Sequence, residues 1–221
     1  MGIFIAYLLL VSANNSFNYK NIFLLSIIPA LMGLIMMLFV KEKKIASPIK
    51  AREPFWKNLK AINIDLKLYL LVTFIFTLGN SSNTFLLLRA KSIGFNDTNV
   101  VLLYLIYNLT AACLSIPFGK LSDRIGRKKI LVCGYFVFAL VYLSFAFTTQ
   151  SMVLVITFII YGFYTAMVSG AERAMIAEIS PSELKGTMLG LQSTIVGIAL
   201  LPASIIAGLL WDLIGASAPF I

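Results

Sequence analysis

The sequence predicts an all-α membrane protein that crosses the bilayer several times. Of its 221 residues, 60% are hydrophobic and only 12% are charged, whereas soluble domains have roughly 45–50% apolar and about 25% charged residues. The mean hydropathy is +0.94, and apolar stretches of bilayer length recur along the chain. Because lipid offers no partner for open backbone groups, we expect each of these stretches to be a helix.

The basic residues give the orientation of the chain. The 18 Lys and Arg outnumber the nine Asp and Glu, for a net charge of +9. One topology places all of the basic residues on one side except Lys20, Arg89 and Lys91. Such an asymmetry marks the cytoplasmic side. The charge therefore faces anionic lipid headgroups, and the predicted partner is a lipid bilayer rather than nucleic acid.

The composition argues against an enzyme. The sequence contains no His, which is the commonest catalytic base and metal ligand. No nucleophile motif or cluster of metal ligands takes its place. Cys113 and Cys133 lie singly in apolar stretches, where we expect them to be small packing residues. We predict no enzymatic activity, no cofactor and no metal.

The first 65 residues predict one partial and one full span followed by a polar segment. Residues 2–11 are too short to cross a bilayer, since ten helical residues rise only about 15 Å. A polar outer loop over residues 12–21 leads to a full span over 22–40. Residues 41–65 carry seven Lys or Arg and are therefore predicted to be cytoplasmic.

An amphipathic helix is expected within that cytoplasmic segment. Apolar side chains recur there at helical spacing, at Phe55, Trp56, Leu59 and Ile62. Lysines between them indicate a helix that lies in the headgroup layer of the membrane. The alternative is that the same apolar face binds a partner.

Five more full spans complete the predicted bundle. They cover residues 66–88, 100–118, 130–148, 152–179 and 187–210. Asn96 is expected to cap the second of these helices, and the stretch from Ser180 to Glu183 predicts a break and a new helix start. Together with residues 22–40, the prediction is six full membrane spans and one partial span.

A charged island of eleven residues joins the spans that end at residue 118 and begin at residue 130. Five of the eleven are Lys or Arg, so the island is predicted to be a short cytoplasmic loop. Gly119 and Gly126 permit turns with positive φ. Asp123 can accept hydrogen bonds from a helix N-terminus or pair with a nearby arginine.

The island, Gly119-Lys-Leu-Ser-Asp-Arg-Ile-Gly-Arg-Lys-Lys129, resembles the loop signature of the major facilitator superfamily at every fixed position. The alternative is a generic basic loop that contains two glycines. Residues 21–30 with the basic segment after them are similar to the sixth helix and central linker of that family. Residues 172–190 resemble the junction of its tenth and eleventh helices, and residues 201–215 resemble the end of the eleventh.

The resemblance implies a domain organisation. Residues 1–40 correspond to the last two helices of the N-terminal bundle, the first of them partial. Residues 41–65 correspond to the cytoplasmic linker, and residues 66–221 to a C-terminal bundle without its last helix. The chain is therefore expected to be an incomplete, multi-pass permease of a prokaryotic plasma membrane.

The resemblance also implies secondary active transport of a small molecule by alternating access, in which two bundles rock about a midplane site. A neutral, tyrosine-rich pathway favours efflux. The alternative is a membrane protein that does not transport, because one bundle is largely missing from the expected organisation. By the pseudo-symmetry of the family, the signature loop closes an inner gate, with Gly119, Asp123, Arg124, Gly126 and Arg127 as its gating residues.

The candidate substrate pathway follows polar residues that share a helix face. On the span over residues 66–88 these are Thr73, Thr77, Asn80, Ser81 and Thr84. The stretch from Gly79 to Asn83 is also a weak spot for helical hydrogen bonding, and we expect it to flex as an outer gate. The alternative is that these small polar groups bond neighbouring helices.

Two later spans add tyrosines and charges to the pathway. They contribute Tyr104, Tyr107, Asn108, Tyr161, Tyr164, Glu172 and Arg173. A tyrosine can hold an aromatic substrate and offer a hydroxyl, or it can simply pack between helices. Glu172 and Arg173 are expected to be ion-paired or to form a gate, because an unpaired charge is costly in a membrane. Proton coupling at Glu172 is the other interpretation.

Two expectations concern helix packing and the outer surface. The last span has a face of small residues for close packing against another helix, formed by Gly186, Gly190 and Gly197. Arg89 is expected to extend its side chain to the outer headgroups.

Overall fold

The computed structural model describes residues 4, 7, 19–41 and 63–221. They belong to two compact units, Met1–Ile62 and Asn63–Ile221. The described residues are helical with short connections and contain no strand, so the predicted all-α class is confirmed. The predicted amphipathic helix lies outside the described residues, as does the partial span apart from Phe4 and Tyr7.

Among the described residues of the first unit, a long helix, α1, covers Tyr19–Leu38. It corresponds to the span predicted over residues 22–40 and includes Pro29 without ending there. The side chains from residue 27 to residue 41 are all exposed within this unit. An apolar helix exposed on every side is suited to lipid or to other helices rather than to water.

The second unit contains six helices. They are α2 (Ile64–Gly79), α3 (Asn83–Ser92), α4 (Asp97–Ile125), α5 (Arg127–Phe147), α6 (Ser151–Ile179) and α7 (Lys185–Leu213). Short 3₁₀ turns lie at Ser182–Leu184 and Ala218–Phe220. Counting α2 and α3 as one, five segments of the described chain are long and apolar enough to cross a membrane. A shorter apolar stretch covers Ile27–Leu38.

The span predicted over residues 66–88 is broken into two helices. α2 ends at Gly79, and the N–H group of Asn80 donates to Thr77 O at 3.1 Å, which closes the last turn. Ser82 then caps α3, its hydroxyl accepting from the N–H group of Thr84 at 3.3 Å. Three residues with short polar side chains separate the helices, because such side chains compete for backbone hydrogen bonds. The break coincides with the weak spot predicted from the sequence.

The charged island is mostly helix, so its prediction as an eleven-residue loop was wrong. α4 continues to Ile125, and Gly119 lies inside that helix rather than at a turn. The turn consists of Gly126, whose φ of 99° suits glycine far better than any residue with a Cβ. A helix of 29 residues is about 43 Å long, so the charged end of α4 extends beyond a hydrocarbon core of about 30 Å.

The bundle is built around α6, which packs between α4 and α5, while α2 packs against α7. Gly162 brings α6 and α4 into close contact. A Cβ at position 162 would lie 2.7 Å from Thr110 Cβ and 2.9 Å from the backbone oxygen of Tyr107. Gly134 makes a similarly close contact with Val168 between α5 and α6.

Several residues expected to pack are exposed. Gly186, Gly190 and Gly197 have open space around them within the described chain, so a packing role for this face of α7 stays a prediction. Cys113 and Cys133 are both exposed within the second unit, so their role as small packing residues also stays a prediction. Their helices turn these positions outward from the second unit.

Candidate functional site

A polar recess of about 220 Å³ opens beside the break between α2 and α3. Six of the residues that line it are Asn80, Asn83, Tyr107, Tyr161, Tyr164 and Glu172. The break supplies the two asparagines, α4 supplies Tyr107, and α6 supplies the rest. The α6 residues share one face because they recur at steps of three or four.

Three tyrosines form one side of the polar recess. The ring of Tyr161 lies with its centroid 5.0 Å from that of Tyr107 and 5.5 Å from that of Tyr164. These separations are typical of favourable aromatic pairs. Tyr161 and Tyr164 are almost fully buried, so their ring positions are fixed by packing.

The two asparagines are held by tyrosine hydroxyls. Tyr142 of α5 donates to Asn80 Oδ1 at 3.2 Å, and Tyr161 of α6 donates to Asn83 Oδ1 at 2.8 Å. The first residue after α2 and the first residue of α3 are therefore bonded to two different helices. The polar groups of the break have partners although they lie within a membrane span.

Glu172 lies at the end of the recess and is joined to three other helices. Tyr135 of α5 donates to Glu172 Oε1 at 3.1 Å. Tyr69 of α2 donates to the backbone oxygen of Glu172 at 3.1 Å, and Gln192 of α7 donates to the hydroxyl of Tyr69 at 3.2 Å. Hydrogen bonding, rather than an ion pair, satisfies this carboxylate within the part of the chain that the structure describes. Arg173, the neighbouring charge, is exposed.

A second, apolar recess of about 630 Å³ lies on the other side of α2. It is enclosed by α2, α5, α7 and the C-terminal 3₁₀ turn, and six of its lining residues are Phe76, Tyr135, Phe138, Tyr142, Ala203 and Phe220. Ser81 also lines it and lies 3.5 Å from the hydroxyl of Tyr142. Among the residues that line it, none carries a charge.

The structure places several predicted pathway residues outside the polar recess. Thr73 donates to Tyr69 O at 3.0 Å, and Thr77 donates to Thr73 O at 2.7 Å. Both hydroxyls therefore bond their own helix. Ser81 faces the apolar recess, and Thr84 belongs to the cap of α3, 3.1 Å from the hydroxyl of Ser82.

The two remaining polar residues predicted on α4 also lie outside the recess lining. Asn108 donates to Tyr104 O at 2.7 Å, one turn earlier in α4. The ring of Tyr104 lies 5.6 Å from that of Tyr107 and supports it from behind. A substrate role for either residue stays a prediction.

The predicted gating residues form a tie between α4, α5 and α6. Arg127 donates from Nη1 to Ala174 O at 2.7 Å and to Glu178 Oε2 at 2.9 Å. Its Nη2 lies 3.6 Å from Asp123 Oδ1, so the expected pairing of Asp123 with an arginine is present. Arg124 is exposed. Nothing in the pattern of the island indicated Glu178 as a partner.

Arg89 contacts the end of a neighbouring helix, and its extension to the outer headgroups stays a prediction. Its Nε donates to Phe145 O at 3.0 Å, and its Nη2 donates to Ala146 O at 3.3 Å and Thr148 O at 3.0 Å. These carbonyls have no helical partner because they lie at the C-terminal end of α5. The guanidinium therefore caps α5 and fixes α3 beside it.

Sequence reasoning missed some residues of the site. Ser169 and Val168 line the recess without standing out in a single-helix pattern. Tyr135 bonds Glu172 directly and Gln192 is linked to it through Tyr69, and both links depend on how α5 and α7 pack. The spacing of Ser169 from Tyr161 and Glu172 was a usable signal, since eight and three residues along a helix keep one face.

A sequence model of the Major Facilitator Superfamily matches residues 68–221. The uncharacterized MFS-type transporter MJ1317 of Methanocaldococcus jannaschii is 38% identical over 203 residues, which are 89% of this chain and 50% of that protein. MJ1560 of the same organism is 28% identical over 131 residues, 59% of this chain and 34% of that protein.

The quinolone resistance protein NorA of Staphylococcus aureus is 30% identical over 106 residues, 48% of this chain and 27% of that protein. The chain thus spans about half the length of the first relative and less of the other two. The family match covers most of the second unit, including both recesses and the charged island. The chain is a multi-pass membrane protein of a transporter family, not an enzyme, and it belongs to the major facilitator superfamily.

Proposed function

We propose that this chain forms part of a secondary active transporter that exports a small molecule by alternating access, with the polar recess as its substrate site. The observation that carries the proposal is the position of Glu172 on α6, in a recess with tyrosines and asparagines beside a broken membrane span. An ionisable group inside a membrane span lowers stability, so such a group usually marks a functional position. The proposed location is a prokaryotic plasma membrane.

In this proposal Glu172 carries the coupling proton. The ionised carboxylate accepts the hydrogen bond of Tyr135 at 3.1 Å, and it attracts a cationic or hydrogen-bond-donating substrate. The protonated carboxyl is neutral and loses that attraction. Because the proton and the substrate compete for the same carboxylate, entry of a proton can be coupled to export of the substrate.

Two gates accompany the site in this proposal. The break at residues 80–82 is the outer hinge. α2 is bonded to α6 and α7 through Tyr69, whereas α3 is bonded to α5 through Arg89 and to α6 only through its first residue, Asn83. A bend between these differently anchored halves changes the width of the recess. The charged end of α4, with Asp123, is the inner gate.

Transport by reconstituted protein tests the proposal. We expect Glu172→Gln to lower proton-driven transport at least about ten-fold, because the neutral amide cannot release a proton. Glu183→Gln is the matched control, since Glu183 is exposed in the 3₁₀ turn before α7. The name of the staphylococcal relative makes a fluorescent quinolone the first compound to test. Equal transport by both variants would sink the proton role of Glu172.

The second candidate function is that of a membrane protein that does not transport by itself. It is favoured by the coverage of MJ1317, of which the chain matches 50%. Vesicles that contain this chain alone should be compared with vesicles that contain it joined to the remaining segments of MJ1317. Transport by the longer protein only supports a substrate site here that works with a second bundle. Transport by neither favours the second candidate.

A further inference from the structure

The amide groups of the two asparagines at the break have a defined direction. Tyr161 is only 3% exposed, and its hydroxyl bonds Asn83 Oδ1 at 2.8 Å. A buried phenol has to donate its proton, and an amide –NH₂ group cannot accept one. The oxygen of Asn83 therefore faces Tyr161, which leaves its –NH₂ group for the recess. The bond from Tyr142 orients Asn80 in the same way.

The surroundings of these –NH₂ groups favour a neutral acceptor over an anion. Both asparagines share the recess with Glu172, whose carboxylate repels an anionic group at short range. None of the described side chains that line the recess is basic. The hydrogen-bond donors that face the ligand space are therefore amides and hydroxyls, which suit a carbonyl or ether oxygen.

The same space has room for an aromatic ring. A volume of about 220 Å³ equals roughly seven water molecules at liquid density, which is enough for one ring with a small substituent. The rings of Tyr107 and Tyr161 lie 5.0 Å apart and border this space, so a planar ligand can stack beside them.

We infer that Asn80 and Asn83 are specificity-determining residues that select a ligand with an uncharged hydrogen-bond acceptor attached to an aromatic ring. The inference rests on the proposed function, because it takes the polar recess as the substrate site. It adds a second recognised group to the substrate, because the aromatic ring with its acceptor contacts the asparagines while the cationic or hydrogen-bond-donating group of the same substrate faces Glu172. An aryl ketone binds with its oxygen between the two amides, and the matching hydrocarbon lacks that interaction.

Infrared difference spectroscopy with acetophenone tests the inference. Acetophenone labelled with ¹³C at its carbonyl is added to the whole chain in phosphatidylcholine nanodiscs, and the spectrum of empty nanodiscs is subtracted. Hydrogen bonding lowers the carbonyl stretching frequency, so we expect a protein-dependent band below the frequency seen in lipid. Each amide donor removed should weaken binding about five-fold.

The variants separate selection from folding. Asn83→Leu should weaken the binding that produces the shifted band about five-fold. Asn99→Leu is the matched control, because the Asn99 side chain is exposed in the first turn of α4 and lines neither recess, and it should leave the band unchanged. Asn83→Asp keeps an acceptor for Tyr161 but has no donor in alkaline buffer, so it should weaken the binding by a similar factor. Ethylbenzene, which lacks the oxygen, should bind all of these variants alike.

Two outcomes overturn the inference, namely the absence of a protein-dependent band or equal bands in Asn83→Leu and Asn99→Leu. Ser169→Trp separates this failure from failure of the proposed function, since Ser169 lines the recess and tryptophan fills it. If Ser169→Trp stops transport while the asparagine variants do not discriminate acetophenone from ethylbenzene, only the inference fails. If Ser169→Trp transports normally, the recess is not the substrate site and both proposals fail.

Discussion

The two recesses lie on opposite sides of one broken helix and differ in size and chemistry. The apolar recess is about 630 Å³ and the polar recess about 220 Å³. The larger one is lined by hydrocarbon, aromatic rings and a single serine among its described side chains. The smaller one contains the carboxylate and two carboxamides. Recognition requires convergent polar groups, so the smaller recess is the better candidate site.

Two tyrosines of α5 lie between the two recesses. The rings of Tyr135 and Tyr142 line the apolar recess, while their hydroxyls bond Glu172 and Asn80, which line the polar one. A single helix therefore presents hydrocarbon to one side and hydrogen-bond donors to the other. The comparison shows that the helix break and the phenols, not the volume, make one recess polar.

Tyr135→Phe should lower the free energy of unfolding more than the other substitutions considered. The ring that lines the apolar recess remains, but the hydrogen bond to the Glu172 carboxylate is lost, at a cost of about 1.5–3 kcal/mol in the free energy of unfolding if the carboxylate is ionised. Tyr142→Phe removes a bond to a neutral amide and should cost about 0.5–1.5 kcal/mol. Unfolding in mild detergent, measured for both variants, gives the two values.

A reporter for each recess sharpens the same test. With Cys113 and Cys133 replaced by serine, Ser169→Cys reports on the polar recess and Ala139→Cys on the apolar one. Tyr135→Phe should change the labelling rate at position 169 and leave that at position 139 unchanged. Equal changes at both positions would mean that the phenols do not separate the recesses.

Gly162→Ala should also change the polar recess and not the apolar one, because it disturbs the packing of α4 against α6. The added methyl group overlaps Thr110 and the backbone of Tyr107, and such overpacking costs about 1–3 kcal/mol. The greater helix propensity of alanine offsets about 1 kcal/mol of this loss. α4 and α6 should move apart, which raises the labelling rate at position 169 and leaves position 139 unchanged.

Gly170→Ala is the matched control for that substitution. Gly170 lies in the same helix with open space around the position of its Cβ. Alanine there should leave labelling unchanged and stabilise the helix slightly. A lower stability of Gly170→Ala than of Gly162→Ala contradicts the assignment of Gly162 as the close contact.

Sequence alone could predict the spans, because membrane helices are set by the length of an apolar run. It could not predict the end of α4. Charged residues such as Lys120, Asp123 and Arg124 are typical of a loop between membrane spans, although none of them strongly disfavours a helix. Gly126 was the signal, because it is the residue of the island that the structure places at positive φ. The residues of the signature motif therefore extend α4 as a helix and form a turn only at Gly126.

The candidate site was partly predictable for a related reason. Thr77 and Asn80 share a stripe in a continuous helix, but a threonine hydroxyl can bond the carbonyl four residues earlier and Thr77 does so. The break then changes the phase of every residue after it, which moves Thr84 away from the recess and brings Asn83 in. The role of Tyr135 depends on how α5 packs against α6, which no local pattern contains.

Arg89→Ala should have an intermediate effect, restricted to α3 and the C-terminal end of α5. The guanidinium satisfies three carbonyls at the end of α5, and a cation at a helix C-terminus contributes about 0.3–1 kcal/mol, up to about 2 kcal/mol in partly buried sites. Hydrogen–deuterium exchange should rise in α3 and remain unchanged in α2. Arg89→Lys should lie between the wild type and alanine, since an ammonium has no planar fork.

Asp123→Ala should have the smallest effect on stability and no effect on either recess. The pair with Arg127 has a distance of 3.6 Å, and the Asp123 side chain is 69% exposed, so its contribution is about 0–0.5 kcal/mol. Arg127→Ala should cost more, because it also loses the bonds to Ala174 and Glu178. The labelling rates at positions 169 and 139 should be unchanged in Asp123→Ala.

The proposed inner gate predicts a second effect of Asp123→Ala. In the longer protein with both bundles, loss of the Asp123 carboxylate should shift cysteine accessibility toward the inward-open state, because a closing contact is removed without any change to the site. Labelling from each side of the membrane measures that shift. If labelling stays the same on both sides, Asp123 is a surface charge that only orients the chain, and the bonds of Arg127 serve to tie the start of α5 to α6.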